Sequence, residues 1–325
     1  MDNIKLPLRR YTGNDLLTLR ADKQEPIIEG ILFPNDYVLL ISEPKIGKSI
    51  LALQLAASIS SGAPFLNTFK IPKSYRVWYF ATEGKDEDIK KRLIEIKKMT
   101  PLNTDNFVLF CAAGFRFNTA IGRNGIQQLL GHYKTELPKV IIVDALYLAI
   151  QGTLKDDGVV NEFNYTIRQF AEKCDAAVII VHHTKKSTIV DGRFIKAEKK
   201  IEEIFGSIFL PASADHIFHM GYNNKTELHS LVCESQRSGE IAESIVLKMK
   251  EPSPLGFEHI LEEKGETNSI MEFLRVNTQG LTIKELMKKT HSSRATIYRW
   301  LGTIETEVEK VSQYPVIYRL RIRQS

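Results

Sequence analysis

Short apolar segments alternate with amphipathic helical segments between residues 37 and 183 of the chain. Five segments are apolar over most of their length, as expected of strands that are buried on both faces of a sheet. Between them, apolar residues recur at helical spacing, for example at Ile89, Leu93 and Ile96. This alternation predicts an α/β fold with a mainly parallel sheet covered by helices on both faces. The apolar segments are residues 37–41, 76–84, 107–111, 140–144 and 177–183.

The pattern changes from residue 215 onward, where shorter segments predict strands that are joined in hairpins. These segments are residues 215–221, 228–233, 244–249 and 256–261. We therefore expect an N-terminal arm at residues 1–25, a core at residues 26–263 and a linker at residues 264–267.

The order of elements predicted for residues 268–325 is that of a winged helix-turn-helix domain. Apolar residues around Ile270 predict a first helix, and Thr282 and Ser292 are candidate N-caps of a second and a third. Two strands, at residues 307–311 and 316–322, are predicted to pair as the wing.

Composition changes this picture little. The 325 residues are 43% hydrophobic and 26% charged, which is ordinary for a globular protein. No apolar run approaches the length that crosses a bilayer, and the N-terminus lacks the apolar region of a secretory signal. Three cysteines, Cys111, Cys174 and Cys233, lie far apart and show no metal-ligand spacing. We expect a cytoplasmic protein with no membrane partner.

Charge distinguishes the C-terminal segment from the rest. Residues 264–325 hold eleven Lys and Arg against six Asp and Glu, so the whole formal excess of +5 lies there. A basic excess favours a polyanion partner, here duplex DNA, although solvated surface charge would give the same value. The third predicted helix would be the recognition helix, with Arg294 and Arg299 as candidate DNA contacts. Winged helices also bind proteins, and that alternative stays open.

Residues 42–49 form the first candidate site, a phosphate-binding loop. It lies between the apolar segment 37–41 and a helical pattern, and it matches the phosphate-binding motif G-x-x-x-x-G-K-[ST] except at the first position. Backbone N–H groups of such a loop bind a polyphosphate. Lys48 is expected to reach the β- and γ-phosphates, and the Ser49 hydroxyl to ligate Mg²⁺. The octet is Ser42, Glu43, Pro44, Lys45, Ile46, Gly47, Lys48 and Ser49.

Ser42 stands where the motif has its first glycine. Glycine adopts backbone angles that serine adopts only at some cost, so this position is expected to be strained. A chance strand–loop–helix is the alternative to a nucleotide site.

Two further apolar segments end in an acid. Asp144 is a candidate for the carboxylate that holds Mg²⁺, and Glu83 for the one that polarises an attacking water. In parallel sheets ligands bind at the carboxyl ends of the strands, where both acids would lie. The alternatives are a helix N-cap for Asp144 and a simple turn for Glu83.

These residues together resemble the RecA-fold hexameric helicases of the RepA and DnaB kind, over residues 26–263. The resemblance implies an ATP hydrolase with Mg²⁺ as cofactor, in which Glu83 is the catalytic glutamate and Asp144 the Walker B aspartate. Residues 181–186 look like the third motif of RepA, whose second histidine senses the γ-phosphate, so His183 would take that role. A buried structural histidine pair is the alternative.

The segment 236–239 resembles the loop of that family whose arginine reaches the neighbouring subunit's γ-phosphate. This implies that Arg237 acts in a homo-oligomer, expected to be a hexameric ring. DnaB-like members also carry a lysine two residues earlier, where this chain has Ser235, so only the arginine carries over. An ordinary turn arginine is the alternative.

The basic segment 185–200 lies where the family grips single-stranded DNA in the central channel, and a solvated loop is the alternative. Its candidate DNA contacts are Lys185, Lys186, Arg193, Lys196 and Lys199.

Two functions stay open on these residues. The first is an ATP-dependent DNA helicase or translocase that works as a ring on single-stranded DNA, in replication of a plasmid, phage or other mobile element. The second is an ATP-switched DNA-binding or recombination-mediator protein that does not unwind. The complete set of site residues favours the first, and the departures at Ser42 and Ser235 favour the second.

Overall fold

The computed structural model describes residues 11–18, 25–184, 189–190, 193–194, 206–224, 226–236, 244–260, 265–290, 294–304, 307–313 and 316–321. The chain divides into two compact units, Met1–His259 and Ile260–Ser325.

Strands alternate with helices in unit 1 from Tyr37 to His183, and from His216 four strands follow one another among the described residues. Its strands are β1 (Tyr37–Ser42), β2 (Val77–Ala81), β3 (Phe107–Cys111), β4 (Val140–Asp144), β5 (Ala177–His183), β6 (Ile189–Val190), β7 (Arg193–Phe194), β8 (His216–Asn223), β9 (Leu228–Gln236), β10 (Ser244–Lys250) and β11 (Gly256–His259). Its helices are α1 (Gly13–Thr18), α2 (Lys48–Ser61), α3 (Asp86–Ile96), α4 (Ala120–His132), α5 (Leu146–Ala149), α6 (Asp157–Cys174) and α7 (Phe209–Ser213).

Nine of the described strands form one sheet in the order β11-β10-β9-β8-β1-β5-β4-β2-β3. The strands from β3 to β8 in this order run parallel, and β8 to β11 pair antiparallel. The predicted α/β fold with a mainly parallel sheet is therefore confirmed. The predicted hairpin strands after residue 215 are also present, although the last ends at His259 rather than at residue 261.

Both faces of the sheet are buried because side chains alternate along each strand. On β1, Val38 and Leu40 join the core cluster that includes α2, while Leu39 and Ile41 join the cluster that includes α6. Burying a side chain such as Phe163 of α6, which has no exposed surface, stabilises the fold by about 1.5–3 kcal/mol. This double burial explains why the strands are apolar throughout.

The register of the parallel strands brings the polar residues at their carboxyl ends to one edge. Ser42 at the end of β1 lies opposite His183 of β5, and Ala81 of β2 lies opposite Asp144 of β4. Strand β5 lies between β1 and β4, so the strand before the phosphate loop and the strand that ends at Asp144 are not neighbours.

Unit 2 contains three helices, α8 (Gly265–Val276), α9 (Ile283–Thr290) and α10 (Arg294–Thr303), and three strands among its described residues. The strands β12 (Leu281–Thr282), β13 (Val308–Gln313) and β14 (Val316–Leu320) form an antiparallel sheet in the order β12-β14-β13. A separate core includes Leu274, Leu286 and Trp300.

Thr282 caps α9 as predicted. The Glu285 backbone N–H donates to Thr282 Oγ1 at 3.2 Å, and the Thr282 backbone N–H donates to Glu285 Oε2 at 2.8 Å. Ser292, the other predicted cap, lies outside the described residues. Residues 265–267 belong to α8, so most of the predicted linker is helical.

Six short elements were not predicted, namely the helices α1, α5 and α7 and the strands β6, β7 and β12. None of the described helices is long and apolar enough to cross a membrane.

Candidate nucleotide site

The phosphate loop joins β1 to α2, and α2 begins at Lys48. Two of its residues have left-handed backbone angles, Lys45 with φ of 67° and Gly47 with φ of 96°. A Cβ at Gly47 would lie 2.8 Å from Phe257 Cζ. Both this close contact and the left-handed φ therefore favour glycine at the position. The predicted strain at Ser42 is wrong, because Ser42 ends strand β1 and is not among the residues with positive φ.

Lys48 is buried at the base of this loop. Its Nζ donates to Ser42 Oγ at 2.8 Å, to Ser42 O at 3.1 Å and to Glu43 O at 2.9 Å. Burial lowers the pKa of Lys48 to about 8, although the carboxylates of Asp144, Glu83 and Glu43 act in the opposite direction. The amine is thus held within the loop, in a position where an anion would be strongly attracted.

Asp144 is held on both carboxylate oxygens. Ser49 Oγ donates to Asp144 Oδ1 at 3.1 Å, and the hydroxyl of buried Tyr79 donates to Oδ2 at 2.6 Å. Burial raises the pKa of Asp144, and the two hydrogen bonds oppose that rise. A hydroxyl and a carboxylate oxygen that converge in this way are the hard oxygen ligands that Mg²⁺ prefers. The two side chains therefore fit the predicted magnesium site.

Glu83 lies two residues beyond the end of β2. The preceding residue, Thr82, fixes this turn, because its backbone N–H donates to Asp144 O at 2.8 Å and its Oγ1 to Ala145 O at 2.8 Å. The Tyr147 hydroxyl donates to Glu83 Oε2. That bond is the largest reason why the pKa of Tyr147 is raised to about 12.

His183 completes the row of strand ends. Its ring centroid lies 5.5 Å from that of Tyr147, and it is partly buried. Burial, together with the nearby Lys48 ammonium, lowers the pKa of His183, so the neutral imidazole is favoured. His182, its neighbour, is buried.

Lys48, Ser49, Glu83 and His183 line one cavity of about 980 Å³, which is large enough for a nucleotide. Its walls include the loop from Pro44 to Ile50, together with Glu83 and His183. Asp144 lines a smaller adjoining cavity of about 120 Å³, whose walls share Ser49 and Glu83 with the larger one.

Sequence reasoning missed several residues of this site. Arg92 of α3 lines both cavities, and Tyr222 and His229 of the β8–β9 hairpin line the larger one, with ring centroids 4.6 Å apart. Glu83 and Arg92 are nine residues apart across the start of α3, and only the turn of that helix brings them together. Tyr147 of α5 was missed for a different reason, because it comes near Glu83 only through the pairing of β2 with β4. No local motif marks these residues.

Several predicted site residues lie outside the described part of the chain. They are Arg237, Lys185, Lys186, Lys196 and Lys199. The backbone of Arg193 belongs to β7, and the backbones of Arg294 and Arg299 belong to α10, but their side chains lie outside the described residues.

A family model described as an AAA domain matches residues 6–188. The match covers more than half of the chain and includes the phosphate loop, Glu83, Asp144 and His183. The chain belongs to this AAA domain family. No curated protein matches the chain.

One solved structure with a TM-score above 0.5 supports the fold. A DnaB-like replicative helicase, whose structure was described with its interactions with primase, is similar over 76% of this chain and 66% of that chain, with 15% identity and a TM-score of 0.54. The RadB recombinase is similar over 70% of this chain and 92% of that chain, with 18% identity and a TM-score of 0.47. The chain thus spans just under two thirds of that helicase. The AAA domain and the shared fold identify a RecA-fold P-loop protein.

Proposed function

We propose that the chain is an ATP hydrolase that moves along single-stranded DNA as a helicase or translocase. The observation that carries this proposal is that Lys48, the Ser49–Asp144 pair and Glu83 line two adjoining cavities at the carboxyl edge of the sheet, with Ser49 and Glu83 shared by both. A cation, an oxygen-ligand pair and a carboxylate are the parts that phosphoryl transfer to water requires.

Each residue has a separate role in this proposal. Lys48 leaves its acceptors in the loop and binds the β- and γ-phosphates, while Ser49 and Asp144 hold the magnesium ion. The ion neutralises charge on the phosphates when it is bound. Glu83 orients the attacking water and accepts its proton. His183, at the end of β5 beside β1, contacts the γ-phosphate and reports its loss.

Hydrolysis is proposed to depend on a neighbouring subunit in a homo-oligomer, expected to be a hexamer. Arg237 would complete that neighbour's site from the loop after β9, as the resemblance to ring helicases implies. The basic residues between β5 and Gly206 would contact single-stranded DNA, since they directly follow His183 in the chain.

Unit 2 is proposed to be a winged helix that binds duplex DNA. Support comes from the order of its elements, three helices and a three-stranded antiparallel sheet whose strands β13 and β14 form a hairpin. Two lysines, Lys288 and Lys289, lie in the last turn of α9. Arg294 and Arg299 on α10 are the proposed contacts to the major groove.

The proposal is tested by measuring ATP turnover with and without single-stranded DNA, and unwinding of a forked duplex. We expect turnover that single strands stimulate, loss of turnover in Lys48→Ala, and strand separation by the wild type. Stimulated turnover without unwinding would favour the ATP-switched DNA-binding protein. Absence of ATP binding in the wild type would overturn the proposal altogether.

The role of a neighbouring subunit has its own test. Arg237→Ala and Lys48→Ala are each expected to be inactive alone, and mixing them should restore part of the turnover, because one mixed interface then holds an intact cavity and an intact arginine. A strictly monomeric protein in ATP, with no recovery on mixing, would argue against action between subunits.

A further inference from the structure

Tyr147 is a polar contact of Glu83 that no motif predicts. It lies on α5, three residues beyond Asp144, and its hydroxyl donates to Glu83 Oε2. Tyr147 is 42% exposed, so water can also hydrogen-bond to its hydroxyl. The bond to Glu83 is therefore not forced by burial.

The sheet explains why Tyr147 and Glu83 meet. Strands β2 and β4 are parallel neighbours, with Ala81 opposite Asp144. Beyond the strand ends, the two hydrogen bonds from Thr82 join the turn before Glu83 to the segment that leads into α5. Glu83 and Tyr147 thus leave the sheet edge side by side, on two segments that are fixed to each other.

The Tyr147 ring has a second contact. Its centroid lies 5.5 Å from the His183 ring, at an interplanar angle of 53°. The ring packs beside the end of β5 while the hydroxyl reaches the carboxylate beyond β2. Helix α5 begins two residues after Asp144, so Tyr147 follows the proposed magnesium ligand closely in the chain.

We infer that Tyr147 is a positioning residue for Glu83. Its hydroxyl fixes Oε2, so that the carboxylate keeps one orientation and presents Oε1 for the attacking water. The inference rests on the proposed function, in which Glu83 accepts the proton of that water. Asp144 shows the same arrangement, since Tyr79 holds Oδ2 while Oδ1 faces Ser49. Glu83 and Asp144 thus each accept a hydrogen bond from a tyrosine.

The variant Tyr147→Phe tests this role because it keeps the ring against His183 and removes only the hydroxyl. We expect kcat to fall about tenfold, the size expected for one hydrogen bond to a charged group, with KM for ATP unchanged. Tyr165→Phe is the matched control: Tyr165 is 65% exposed on α6 and does not line the nucleotide cavity. It should behave as the wild type. An unchanged kcat in Tyr147→Phe, or a rise in KM alone, would overturn the inference.

A double-mutant cycle shows whether Tyr147 acts through Glu83. Single-turnover hydrolysis is measured for the wild type, for Tyr147→Phe, for Glu83→Gln and for the double variant. We expect the double variant to be no slower than Glu83→Gln, because the residue that Tyr147 positions is already lost. A full further tenfold loss would assign Tyr147 a role independent of Glu83 and overturn the inference. If Glu83→Gln itself keeps wild-type turnover, the proposed role of Glu83 fails, and the inference fails with it.

Discussion

The Lys48 ammonium lies 2.8 Å from the Ser42 hydroxyl, at the position where the phosphate-loop motif has its first glycine. Ser42 Oγ in turn donates to Glu43 O at 2.7 Å, so the serine is part of the network that holds the lysine in the loop. The departure from the motif therefore supplies an acceptor for Lys48 rather than backbone strain. In the proposed function, Lys48 exchanges these contacts for the phosphates of a nucleotide.

Nucleotide affinity is expected to depend on pH through Lys48, whose pKa is lowered to about 8 mainly by burial. Phosphates beside the amine favour its charged form, so the pKa rises in the complex and binding takes up a proton at pH above about 8. Affinity should be constant below that pH and should weaken above it, by at most about tenfold per pH unit. Calorimetric titration with an ATP analogue between pH 7 and 9.5 measures this.

Lys48→Arg is the control for this pH dependence. Its guanidinium stays protonated over the whole range, so its affinity should not fall as the pH rises, whatever its absolute value. The same slope in Lys48→Arg and the wild type would show that another group titrates.

Gly47 is expected to tolerate no side chain. Gly47→Ala places a Cβ 2.8 Å from Phe257 Cζ at a φ of 96°, and it should destabilise the protein by about 1–3 kcal/mol and weaken ATP binding. Thermal unfolding with and without nucleotide measures both effects. Gly131→Ala, in α4 with no atom within 4 Å of the added Cβ, should be neutral or slightly stabilising. Equal stability of the two variants would contradict the geometry of the loop.

Arg92 is expected to contribute to turnover from within the same subunit, because it lines both cavities beside Glu83. Arg92→Ala should lower kcat about 10- to 100-fold, the range for loss of one charge-stabilising donor. Lys91→Ala removes a neighbouring exposed cation that lines neither cavity and should leave kcat unchanged. A wild-type kcat in Arg92→Ala would make Arg92 a surface residue only.

The sequence predicted the regular parts of the fold well, because apolar patterns report burial directly. Strands β4 and β5 have the predicted bounds, because in each an apolar run is followed by the polar residues that end the strand. Helices α5 and α7 were missed, because four or five residues are too few to show a helical period. Local pattern carries no information on the distances that the strand order creates.

For the site, too, the sequence predicted some residues and missed others. Lys48, Ser49, Glu83 and Asp144 follow from motif and strand-end position, and they do converge. Tyr147 belongs to the site only because β2 and β4 are neighbours in the sheet. The prediction of strain at Ser42 assumed that every motif glycine needs a positive φ, whereas here Lys45 and Gly47 have it.

Unit 2 is expected to carry the duplex-DNA affinity. Removing residues 264–325 removes the whole excess of +5, so duplex binding should weaken and its salt dependence should flatten, as fewer phosphates are neutralised. The remaining chain keeps the sheet and both of its core clusters, so it should fold and retain turnover stimulated by single strands. Filter binding of a duplex at several salt concentrations measures the change. Duplex binding that survives truncation would make unit 2 a protein-docking domain.

The most direct test of the site is ATP turnover and ATP binding by Glu83→Gln, which keeps the size of the side chain and removes its charge. The exposed Glu87 on α3 provides the control Glu87→Gln. We predict that Glu83→Gln binds ATP as the wild type does and that its turnover falls by about 10²–10⁴, the range for loss of a general base, while Glu87→Gln is unaffected. Turnover near the wild-type value in Glu83→Gln would contradict the account of this site.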